Sequence, residues 1–61
     1  MKYKIRIHPD YMWKAKKELK IWGQVAFTIQ DDCILTDSTN VVDVITETFM
    51  NHEDLYKIEE E

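Results

Sequence analysis

The sequence predicts an α+β domain of order βαββαβ, and three features of the chain lead there. Residues 2–8 and again 24–30 alternate polar and apolar side chains, the period of a half-buried strand. Residues 9–23 instead repeat apolar residues at three-and-four spacing, the period of one helical face. The run Asp37-Ser38-Thr39-Asn40 supplies four successive helix-capping residues ahead of a second apolar stripe at helical spacing. Two crossover units joined by a hairpin close into a four-stranded antiparallel sheet with both helices packed on one face, the ferredoxin-like arrangement.

Taken in order, the first strand turns Tyr3, Ile5 and Ile7 to one side and Lys2, Lys4, Arg6 and His8 to the other. The helix that follows is bounded by the only proline and the only glycine. Pro9 suits a first helical position, where an N–H would be unpaired anyway, and Gly23 suits the left-handed stop. Met12, Ala15, Leu19 and Trp22, with Tyr11 beside them, form the expected core face. Trp13, Lys14, Lys16, Lys17, Lys20 and Ile21 fall on the opposite side. Residues 24–30 place Val25, Phe27 and Ile29 inward, Asp31-Asp32 forms a tight turn, and residues 33–36 return with Ile34 and Thr36 facing the core. In the second helix Val41, Val42, Ile45 and Phe49 line one side, opposite Asp43, Glu47 and Met50. The β-branched run VVDVIT is poor helix material, but its apolar positions do not alternate, so period favours helix. His52, Glu53 and Asp54 read as a loop, and residues 55–59 as a last strand with Tyr56 and Ile58 inward.

A chain of 61 residues makes one small domain, near the size below which partners, metals or disulfides are commonly needed, so oligomerisation is expected to matter. The single cysteine, Cys33, requires no oxidising compartment. No apolar run approaches a membrane span, and MKYKIRIHPD lacks the apolar segment of a secretory signal; the expected location is cytoplasmic, with no membrane partner. Charge is unevenly divided. Residues 1–22 hold seven Lys or Arg against two acids, net +5, and residues 23–61 hold one Lys against ten acids, net −9. Part of this asymmetry is absorbed if the last strand lies beside the first, so that Lys2, Lys4 and Arg6 face Glu59 and Glu61; residues 59–61 otherwise form an acidic tail at the chain end.

Four surfaces are candidates for function. The outer face of the first helix, with Trp13, Lys14, Lys17, Lys20 and Ile21 central, combines an aromatic anchor with lysines and suits a protein partner. The same lysines offer a nucleic-acid alternative, against which stands the net charge of −4. The acidic half supplies a further alternative, with Asp43, Glu47, Glu53 and Asp54 imitating a phosphate row. On the open face of the sheet, Ala26, Thr28, Cys33 and Leu35 form a modest patch for sheet-to-sheet dimerisation. Finally, His8 and His52, with the acids and thiol of neighbouring loops, are weak metal candidates, without CxxC or HExxH spacing.

Several chemistries are excluded by what is missing. One glycine at a helix end leaves no phosphate-cradling loop and no dinucleotide fingerprint, and the one serine stands in a capping run rather than a nucleophile elbow. Among small ferredoxin-like domains, the glycine-rich anion loop of acylphosphatases and the paired-cysteine loop of heavy-metal-binding domains are both lacking. The expected function is a small non-enzymatic protein-interaction module without a cofactor, an accessory protein or bacteriophage-type inhibitor of a larger machine, with a homodimer as a further expectation.

Overall fold

The computed structural model describes residues 2–60. The chain runs β1 (Tyr3–Ile7), a 3-10 turn (Pro9–Tyr11), α1 (Met12–Ile21), β2 (Phe27–Gln30), β3 (Cys33–Thr36), α2 (Thr39–Thr48), a second 3-10 turn (Glu53–Leu55) and β4 (Tyr56–Glu60). The four strands form one antiparallel sheet in the order β2-β3-β1-β4, which is the ferredoxin-like order.

Local chemistry sets the element ends. Pro9 opens the first turn, and the Nδ1 atom of His8 accepts the Asp10 N–H at 3.2 Å, in the manner of an N-cap. At the far end of α1 the Gln24 N–H reaches the Leu19 carbonyl at 2.8 Å and the Gly23 N–H reaches that of Lys20 at 3.0 Å. Gly23 stands at φ +69°, so the helix closes in a Schellman motif. In the β2–β3 hairpin, Asp31 and Asp32 both take positive φ, 50° and 63°, the signature of a two-residue type I′ turn. Aspartate pays for this conformation where glycine does not. Asp32→Gly is therefore expected to raise stability by about 0.5–1 kcal/mol, read as a higher urea midpoint; a lowered midpoint would mean that the Asp32 side chain supports the turn.

The core lies between one sheet face and the two helices. Ile5 and Ile7 of β1, Ile34 of β3, Met12, Ala15 and Leu19 of α1, and Val41, Ile45 and Phe49 around α2 form a single buried cluster. Phe27, Val42, Leu55, Tyr56 and Ile58 pack around its margin, and the Phe49 and Tyr56 rings lie 5.9 Å apart. Thr36 is the buried polar residue. Its hydroxyl donates to the Ala26 carbonyl and accepts the Ser38 N–H, tying the start of β2 to the entrance of α2. Ser38 is the N-cap residue of α2 by position, although its own side chain makes no capping bond. The helical period of α2 outweighs its β-branched composition because the helix buries Val41 and Ile45 completely.

Four expectations are corrected. Trp22, assigned to the core face, is 62% exposed, and Tyr11 is exposed as well. Trp22 is the C-cap of α1, where the chain leaves the helix for the Schellman turn. The second strand starts at Phe27 rather than residue 24, because pairing with the four-residue β3 ends at Phe27 opposite Thr36; Val25 is left 88% exposed. Ile29 does pair with Ile34 but stays partly exposed, since β2 is an edge strand with a neighbour on one side only. The last strand begins at Tyr56, with Leu55 in the preceding turn, and it takes in Glu59 and Glu60, so these two belong to the sheet rather than to a tail. Glu61 lies outside the described residues.

Candidate functional site

The outer face of α1 follows from its ten-residue length and its position over the sheet. With Met12, Ala15 and Leu19 committed to the core, the opposite side presents Trp13, Lys16, Lys17, Lys20 and Ile21 to solvent. Trp13, Lys17 and Ile21 are spaced four residues apart and so follow one line along the helix. Eight residues at a rise of ~1.5 Å set the two apolar ends of this line about 12 Å apart. Trp13 is 62% exposed and Ile21 63%. Lys14, the fifth residue expected here, is half-buried at the margin of the face. Trp22 at the helix end and Val25 just after the Schellman turn are exposed as well, but Trp22 is turned about 100° from Ile21 around the helix, toward the core side.

The acidic candidates are divided between two elements. Asp43 and Glu47 are exposed one turn apart on α2, which packs beside α1, whereas Glu53 and Asp54 are exposed in the 3-10 turn before β4. The helical layer therefore carries lysines on one helix and carboxylates on the other. The loop histidines are not drawn into a metal centre. His8 packs edge-on against Tyr11 at 5.6 Å and its Nδ1 lies 4.0 Å from an Asp10 carboxylate oxygen, while His52 is exposed at the start of the second 3-10 turn. Among the described residues no group of three or more His, Cys, Asp or Glu side chains stands close enough to hold a metal ion.

The open face of the sheet carries the expected outward Thr28, Cys33 and Leu35 beside a charged half. One row across it reads Thr28, Leu35, Lys4, Glu59, and the next Gln30, Cys33, Arg6, Lys57. Cys33 is only 2% exposed, lying between Gln30 and Arg6, and Leu35 is half-covered; the charged β1–β4 half of this face does not suit sheet-to-sheet packing. Lys4 does stand opposite Glu59, as expected, but Arg6 stands opposite Lys57, not an acid. This like-charge pairing was hidden in the sequence because it depends on the β1–β4 register.

No helix among the described residues is long and apolar enough to cross a membrane. Comparison of the chain with protein-family models, with curated proteins and with solved structures returns no match.

Proposed function

We propose that this chain is a small non-enzymatic interaction module that docks an acidic segment of another protein on the outer face of α1. The observation that carries the reading is the co-exposure of Trp13 and Ile21 on a helix whose exposed intervening residues, Lys16, Lys17 and Lys20, are all lysines. Aromatic side chains surrounded by adaptable charged ones are the usual composition of a binding hot spot, since the ring contributes most of the desolvation and the charges set orientation and encounter rate. Lys16, Lys17 and Lys20 favour carboxylates on the partner. Nucleic acid fits less well: Asp43 and Glu47 on the adjoining helix interrupt a continuous positive track of the kind a phosphate backbone requires.

Replacing Lys17 with the photo-crosslinker benzoylphenylalanine tests this reading, with the same replacement of Asp43 as the comparison. Irradiation in host extract is expected to give a discrete heterologous protein adduct through position 17 and none through position 43. An adduct through position 43 alone, or adducts to nucleic acid through position 17, would move the site to the acidic surface or change the partner class.

A further inference from the structure

We propose that the end of the β1–β4 pair binds the phosphate group of a small phosphomonoester, held by Arg6, Lys57 and His8. The starting point is a local imbalance. Arg6 and Lys57 are directly opposite each other in the antiparallel register, an arrangement that destabilises a sheet, while the adjacent row neutralises itself with Lys4 opposite Glu59. Among the described residues no carboxylate comes within ion-pair distance of Arg6 or Lys57. The row thus carries two uncompensated positive charges on a protein whose net charge is −4.

His8 adds a directed donor. It continues the outward phase of Lys4 and Arg6 along β1, and its Nδ1 is occupied as acceptor of the Asp10 N–H. Nε2 is therefore the ring nitrogen left to face a ligand. These groups line a shallow concavity of about 240 Å³ together with Ile7, Pro9, Leu55 and Tyr56, and with Asp54 as the single carboxylate in its lining. The volume lies just below the ~300–1,000 Å³ of sites for larger ligands, which fits a compact oxyanion with few substituent atoms.

With Asp54 in the lining against Arg6 and Lys57 the concavity keeps a net charge of +1, which selects an anion, and where a carboxylate offers two oxygens to Arg6, Lys57 and His8, a phosphomonoester offers three. The Arg6 guanidinium can take two of its oxygens as a fork, with Lys57 and His8 on the remaining one. Asp54 disfavours a longer polyanion continuing past the concavity, which separates this site from a nucleic-acid track.

Thermal unfolding of the whole chain at pH 8 tests the site, with inorganic phosphate or methyl phosphate added at constant ionic strength against sodium chloride. Both anions are expected to raise the Tm of the wild type by several degrees, and Arg6→Gln and Lys57→Gln are each expected to abolish the rise. Lys57→Gln is also expected to raise the Tm without added anion, because the repulsion is gone. Lys17→Gln, on α1, is expected to keep the full response. A wild type that does not respond, a rise that survives Arg6→Gln or Lys57→Gln, or a rise lost on Lys17→Gln would overturn the proposal.

Discussion

Leu19→Ala is expected to remove roughly half of the domain's stability. Leu19 is fully buried at the centre of the α1 inner face, within the cluster formed with Ile5, Ile34, Val41, Ile45 and Phe49. Truncating such a side chain costs about 2–5 kcal/mol through lost transfer energy and the cavity left behind. A domain of 61 residues has only about 3–9 kcal/mol in total, at ~0.05–0.15 kcal/mol per residue. In a urea titration followed by far-UV circular dichroism, the midpoint should fall by about half or the variant should be unfolded from the start. Lys17→Ala, two residues earlier on the exposed side, should stay within ~0.5 kcal/mol of wild type. A wild-type midpoint for Leu19→Ala would mean that the buried face of α1 has been misassigned.

The elements that could be read from the sequence are those in which local chemistry and tertiary packing agree. Gly23 ends the first helix at positive φ as its freedom suggests, whereas Pro9 opens a 3-10 turn that leads into α1 at Met12, three residues later than the sequence places the helix start. Asp31-Asp32 turns as its left-handed tolerance suggested, and the stripe Val41, Ile45, Phe49 is buried in spite of unfavourable propensity. What could not be read depends on lengths and registers. Periodicity continued the second strand back to residue 24, but a strand exists only where a neighbour pairs with it, and β3 offers four residues. Trp22 continues the apolar stripe of α1, yet the helix ends at Ile21 and the Trp22 ring is left exposed. The candidate surfaces follow the same rule. The exposed face carrying Trp13, Lys17, Lys20 and Ile21 was visible from helical phase alone, whereas the pairing of Arg6 with Lys57 appears only once β4 is in register beside β1.

Trp13→Ala should separate binding from folding. The ring lies on solvent-exposed helix, outside the buried cluster, so its loss should leave the urea midpoint within about 0.5 kcal/mol of wild type. As the aromatic anchor of a docking face it should instead contribute at least ~2 kcal/mol to association, or about thirtyfold in affinity. Ile21, two turns along, is expected to contribute less because an aliphatic side chain buries a smaller area. Lys17 and Lys20 should affect the salt dependence and association rate more than the dissociation rate. The most direct measurement is the equilibrium affinity of folded wild type and folded Trp13→Ala for the protein captured through position 17. A loss of thirtyfold or more with an unchanged unfolding midpoint is the expected result; equal affinities would show that the outer face of α1 is solvated surface and not the site of docking.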